Sequence, residues 1–279
     1  MLLEKIKITI DNSSDIITFE VPKTDSVFGS WERYITVDGN RIFHTGNVCS
    51  TCSVFFDRLA ELNQDSYAKI NTLKKNVVNT LNEGIQTLDQ SIIDSLKLIM
   101  PNGEYDVLLS KIIPKLVHPG KPGDYFIEER AQLLGPYFKS YGGDSFPQTE
   151  YYRTRSSTLP MYGDTEPSTG FFEFLIPLFT SHDLNQERVN YYKEQFVNGT
   201  MPTAISLSIL DTFTPHHLDE DQSIHQHMCL MHYLIDGHHK AYAAAMANKP
   251  LTIISFLAVD QGLSDDYEVG QCIKFLKGP

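Results

Sequence analysis

Tyr233-Leu234-Ile235-Asp236-Gly237-His238-His239-Lys240-Ala241-Tyr242-Ala243-Ala244 is the stretch on which the reading of the fold turns. An apolar strand runs into a sharp turn at Gly237, and a helix begins at once. That junction gathers free backbone N–H groups and the positive end of a helix dipole at one point. Gly237 permits a positive φ and close backbone approach. His238, His239 and Lys240 add donors at the same spot, and phosphate is the anion such an arrangement suits best. An ordinary strand–glycine–helix turn with surface histidines accounts for the same residues, and the alanines fit tight helix packing.

Working outward, the last third of the chain alternates strands and helices. Residues 172–178, 205–210, 232–235 and 251–259 read as strands. A helix over 187–196 starts at the N-cap Asn185 and ends near Gly199, and a second covers 240–247. Alternation of this kind indicates an α/β layer structure. Upstream, Ile6, Ile8 and Ile10 alternate with polar residues, 11–15 is turn-like and 16–21 is rich in β-formers, so a first hairpin is expected there. A hairpin is expected at 34–37 and 41–44 around Asp38-Gly39-Asn40. The apolar run 54–62 fits a helix. Helical spacing places Ile70, Leu73, Val77 and Leu81 on one face, and Leu88, Ile92, Leu96 and Ile99 on another, with stops at Gly84 and Pro101-Asn102-Gly103. A further helix is expected over 105–116, and Asp124 caps a short one ahead of Gly135-Pro136. The expected organisation is an α+β N-terminal domain with a helical segment (1–140), an extended linker (141–170) anchored by Tyr151, Tyr152 and Tyr162, and an α/β domain (171–279).

The glycine junction resembles the ParB/sulfiredoxin superfamily, in which a strand ends in Asp-Gly or Gly-Gly and a basic triplet opens the next helix. Ser181-His182-Asp183-Leu184-Asn185-Gln186-Glu187-Arg188-Val189, followed by Gly199-Thr200-Met201-Pro202-Thr203-Ala204-Ile205, is similar to that superfamily's lead-in helix, glycine and entering strand. The Asp-Gly-His-His-basic form is most similar to the free L-serine kinase branch, over roughly residues 172–260. The resemblance implies a ParB/sulfiredoxin-like α/β domain. It also implies phosphate contacts from Asp236, Gly237, His238, His239 and Lys240, with Asp183 and His239 in catalytic positions. Asp183 stands where the kinase branch has a glutamate base, a departure in length. His238 stands where sulfiredoxins have their catalytic cysteine, which excludes sulfinic-acid reduction. Lys240 is the one strong base where partition ParB proteins have two arginines.

His44, Cys49 and Cys52 follow a hairpin and resemble half of a zinc knuckle, for which a structural site needs four ligands. Two small residues packing a helix start, or a redox pair, fit the same spacing. His216, His217, His225, His227 and His232 lie near Asp219, Glu220 and Asp221, where solvated side chains are the commoner reading. For a divalent ion, His225 and His227 are the expected ligands, because on an extended chain they point the same way.

The net charge of −12 is spread over both halves and disfavours nucleic-acid binding, which requires a basic face. The longest apolar stretches, 170–179 and 251–259, fall short of the roughly 20 residues needed to span a bilayer. The start of the chain carries no apolar run typical of a secretory signal, so a cytoplasmic location is expected. The expected function is nucleotide-dependent phosphoryl transfer to a small hydroxyl substrate, with ATP or ADP and Mg²⁺ as cofactor and zinc as a second candidate. A non-enzymatic anion-binding module whose N-terminal domain contacts a protein partner is the alternative. A ParB-like DNA-binding or nuclease protein is a third reading.

Overall fold

Strand Thr203–Phe213 is buried along its whole length, and its two faces serve different cores. Ile205, Leu207 and Ile209 point into one apolar cluster, while Ala204 and Leu210 point into clusters on the opposite side. Period-two alternation therefore makes this strand the middle of a layered structure rather than a surface element. Each large aliphatic side chain buried there contributes ~1.5–3 kcal/mol.

The computed structural model describes residues 1–22, 32–48, 53–128, 149–159, 168–213 and 224–277. In chain order the strands are β1 (Leu2–Ile10), β2 (Ile17–Glu20), β3 (Glu32–Val37), β4 (Asn40–Val48), β5 (Ser53–Arg58), β6 (Gly103–Ile112), β7 (Lys115–Val117), β8 (Tyr151–Leu159), β9 (Ser168–Ile176), β10 (Thr203–Phe213), β11 (Ile224–Asp236) and β12 (Leu251–Ala258). The helices are α1 (Gln64–Leu73), α2 (Val78–Glu83), α3 (Gln90–Leu96), α4 (Tyr125–Glu128), α5 (Gln186–Val197), α6 (His238–Ala247) and α7 (Asp266–Lys277). An eight-stranded mixed sheet runs in the order β1-β6-β12-β10-β11-β9-β8-β7, and a four-stranded sheet in the order β2-β3-β4-β5. β10 pairs in parallel with β12 and antiparallel with β11, and β11 pairs in parallel with β9.

Three layers follow from the side-chain clusters. One face of the large sheet packs against the small sheet and α1–α3, through residues such as Phe43, Phe56, Ile70, Leu96, Phe174 and Tyr233. The other face carries α5 and α6 over one cluster and α7 over another. A buried polar stripe belongs to that second face. Ser208 Oγ lies 2.7 Å from His232 Nδ1, and Ser206 Oγ lies 3.1 Å from both Ser208 Oγ and Ser255 Oγ. Glu173 Oε1 lies 3.4 Å from His232 Nε2, so these buried polar groups supply one another's partners.

The mixed α/β character, the hairpin β3–β4, the helical periods of α1–α3, the Asn185 cap and the glycine junction all follow the expectation. Asn185 Oδ1 accepts from the Arg188 N–H, and Asp38 and Gly39 take positive φ in the hairpin turn. Four elements differ. Residues 105–116 form β6 and β7 rather than a helix: β6 is buried on both faces between β1 and β12, and such a strand reads as a continuous apolar run. Residues 54–62 begin as β5, with Val54, Phe55 and Phe56 buried, for the same reason. β1 and β2 do not form a hairpin, because β1 pairs with β6 and β2 with β3. Tyr151 and Tyr152, expected in an extended linker, are buried in β8, which pairs with β9 and β7. The large sheet thus draws strands from residues 1–140, 141–170 and 171–279 alike. Among the described residues no helix is long and apolar enough to cross a membrane.

Candidate functional site

β11 ends at Asp236, and Gly237 reverses the chain with φ +96° and ψ 23° into α6. A side chain is excluded there, since a Cβ on Gly237 would stand 2.7 Å from Ala204 Cβ and 3.0 Å from its Cα. The turn lies against β10, so it must be thin as well as left-handed. α6 has no side-chain N-cap, and its first-turn amides lack intrahelical acceptors.

The junction faces a cavity of about 270 Å³. Gly237, His238, His239 and Lys240 form one wall. Tyr67, Asn71 and Lys74, from α1 and its C-terminal cap, form a second, with Val78, Leu81 and Asn82 of α2 beside them. Arg188 and Tyr192 of α5 close the third side. Helices from the first hundred residues therefore complete a site that the sequence places on the last hundred alone.

Among the described residues Asp236 is the one carboxylate lining this space, against Lys74, Lys240 and Arg188. Lys74 Nζ is ion-paired with Asp236 Oδ1, and Lys240 Nζ lies 3.7 Å from Oδ2. Burial favours the neutral acid at Asp236, but the charges of Lys74 and Lys240 and the Lys74 hydrogen bond outweigh it and hold its pKa down at about 2. Lys240 is 3% exposed. Its ammonium donates to Thr203 O at 2.9 Å and reaches Leu81 O at 3.4 Å. Burial lowers its pKa to about 8, with Asp236 opposing and Lys74 and Arg188 adding to the shift. Arg188 is exposed and, among the described residues, has no carboxylate within 4 Å.

The two histidines are committed to the fold. His238 Nε2 accepts from the Leu178 N–H at 3.1 Å, and its ring lies edge-on to Phe179. His239 Nε2 accepts from the Asn185 N–H at 3.2 Å. A ring nitrogen that accepts carries no proton, so neither Nε2 can donate to an anion in this arrangement. Burial depresses both, His238 to about 3 and His239 to about 4, so both are neutral at pH 7.

Asp183 does not line the cavity. It closes the capping box of the turn Ser181–Asp183, accepting from Thr180 N at 2.9 Å and Thr180 Oγ1 at 2.7 Å. Those hydrogen bonds, chiefly from the Thr180 hydroxyl, hold its carboxyl below the ordinary range. The structure thus brings Asp236, Gly237, His238, His239 and Lys240 together and leaves Asp183 apart from them.

Cys49 and Cys52 lie outside the described residues, as do His216, His217, Asp219, Glu220 and Asp221. His44 is stacked on Tyr34 with centroids 4.6 Å apart, and its Nε2 lies 3.6 Å from Glu32 Oε2. His227 is buried, with Nδ1 2.9 Å from the Tyr125 hydroxyl. Among the described residues no group of three or more His, Cys, Asp or Glu side chains is placed to hold a metal ion.

Lys74, Arg188, Tyr67 and Tyr192 are among the cavity residues that motif reading does not assign. Arg188 stands inside the quoted Glu-Arg-Val segment, four residues before Tyr192 and so on the same helix face, which is the available signal. Nothing in the sequence near Lys74 marks it. No family model matches the chain, and no curated protein or solved structure is significantly similar to it.

Proposed function

We propose that the cavity at the β11–α6 junction binds a small phosphate monoester or similarly sized anion. The observation that carries the proposal is the charge balance of the lining, three basic side chains against Asp236, with Arg188 left without a carboxylate partner among the described residues. Arg188 has the planar donor fork that suits phosphate, and the α6 N-terminus adds amides and a favourable dipole. At about 270 Å³ the space lies just under the usual range for drug-sized ligands, which favours a compact phosphate ester over an engulfed nucleoside triphosphate.

Phosphoryl transfer from ATP with Mg²⁺, on a ParB/sulfiredoxin-like domain, is the second reading, and the Asp236-Gly237-His238-His239-Lys240 junction is what supports it. It requires a base facing the substrate hydroxyl. Asp183 is engaged by Thr180, and Asp236, the carboxylate at hand, is held so acidic that it is a weak base. The binding role is therefore preferred.

The test is a thermal-shift panel of phosphate monoesters, ATP and ADP, each with and without Mg²⁺, followed by an assay for ADP release with small alcohols. Stabilisation by monoesters without ATP turnover supports the binding site. Alcohol-dependent ADP release moves the assignment to a kinase. A melting temperature indifferent to every anion removes the proposal.

A further inference from the structure

Lys240 is set differently from an ordinary anion-binding lysine. It lines the cavity yet is almost wholly enclosed, and it shares a single carboxylate with a second lysine. Lys74 takes the close contact with Asp236, leaving Lys240 at 3.7 Å, beyond hydrogen-bond distance. Its hydrogen bonds go to two backbone carbonyls, Thr203 O at 2.9 Å and Leu81 O at 3.4 Å, and it lies 5.7 Å from the centre of the Tyr192 ring. Two carbonyls use two N–H groups, so a neutral amine satisfies both and keeps its lone pair. With Lys74 already neutralising Asp236 and Arg188 bringing further positive charge, a second buried ammonium is the costly state.

We infer that Lys240 is a nucleophilic amine that forms an imine with a small anionic aldehyde or ketone held in this cavity. The inference rests on the anion-binding role proposed above and names the carbonyl class of ligand for the same site. Arg188 and the α6 amides hold the anionic group, and the Lys240 nitrogen adds to the carbonyl carbon. A C–N bond forms and the C–O bond breaks. The carbonyl oxygen leaves as water with one amine hydrogen and one proton from the medium. The other amine hydrogen stays on the protonated imine and keeps the bond to Thr203 O, while the longer contact to Leu81 O is released. Nothing is oxidised or reduced. Desolvation of a lysine in a largely closed site is a recognised route to such a nucleophile, and its pKa of about 8 agrees with a reactive fraction near neutrality.

The experiment treats the full chain with glycolaldehyde phosphate and borohydride, maps the modified peptide by mass spectrometry, and measures glycerol phosphate binding by calorimetry in parallel. The expected result is one reduced adduct on Lys240 in preference to exposed lysines such as Lys69 and Lys75. Its yield should fall about tenfold when glycerol phosphate is in excess, and rise about 25-fold from pH 6.5 to pH 8.5 as the ammonium gives up its proton. Glycerol phosphate that binds while label spreads over surface lysines, or falls on Lys74, overturns the imine and leaves the anion site standing. Absence of both binding and Lys240 adduct overturns both.

Discussion

At the scale of single residues, Gly237 does the most. It supplies a left-handed turn and lets β11 and α6 close onto Ala204. Gly237→Ala must hold a positive φ and displace β10, so it is expected to lower stability by ~2–4 kcal/mol. Chemical denaturation checks this, and an unchanged midpoint would show that the turn tolerates a methyl group. The sequence makes this residue legible because glycine between an apolar strand and an alanine-rich helix has few other uses. It does not make the histidines legible. His238 and His239 look like anion donors in one dimension, but the Leu178 and Asn185 amides occupy their Nε2 atoms. Those partners lie some sixty and fifty-four positions away, where no local pattern reaches. Lys74 was hidden for the same reason, since its partner Asp236 stands across the fold.

At the scale of elements, the amphipathic helices and the half-exposed hairpin announce themselves, because one wet face imposes a period. β5 and β6 do not: both their faces are dry, and a run of apolar residues without a period suits a buried strand as well as a helix. The same burial explains how the small sheet is fastened to the large one. Arg33 of β3 donates from Nη1 and Nη2 to Asp211 of β10, and from Nη1 also to Gln261 O. Asp211 Oδ1 accepts from the Leu263 N–H as well. Both partners are buried, so removing one leaves an uncompensated charge. Arg33→Met is expected to cost ~3–5 kcal/mol, and adding Asp211→Asn should recover part of that loss. Urea unfolding of the single and double variants measures it, and a single variant as stable as the wild type would deny the pair any role in joining the sheets.

At the scale of the whole molecule, neutral buried histidines tie stability to pH. Burial pushes His227 and His238 from 6.5 down to about 3. In the interval between, the unfolded chain binds the protons and the folded chain does not, so stability is full above pH 6.5 and declines as pH falls towards 3. Each contributes a loss of ~1–2 kcal/mol by pH 5. Asp236, held at about 2, loses its contribution only as pH falls from its ordinary 3.8 towards that value, and so does not shape the interval from pH 6.5 to 5. Urea midpoints should therefore drop between pH 7 and pH 5, and equal midpoints would mean that these rings are not buried neutral.

The architecture also explains why the site needs the whole chain. Residues of α1, α2 and the α1 cap face α5 and the glycine junction across one cavity, and the eight-stranded sheet beneath joins the two ends of the sequence. The anion role of that cavity is tested most directly by calorimetric titration of glycerol phosphate into the wild type and Arg188→Ala. Arg188 is exposed and makes no ion pair among the described residues, so its removal should leave the melting temperature unchanged. A charge-assisted contact is worth ~1.5–3 kcal/mol, so affinity should fall about tenfold or more. Equal affinity in the two proteins, or no binding by the wild type, would contradict the assignment.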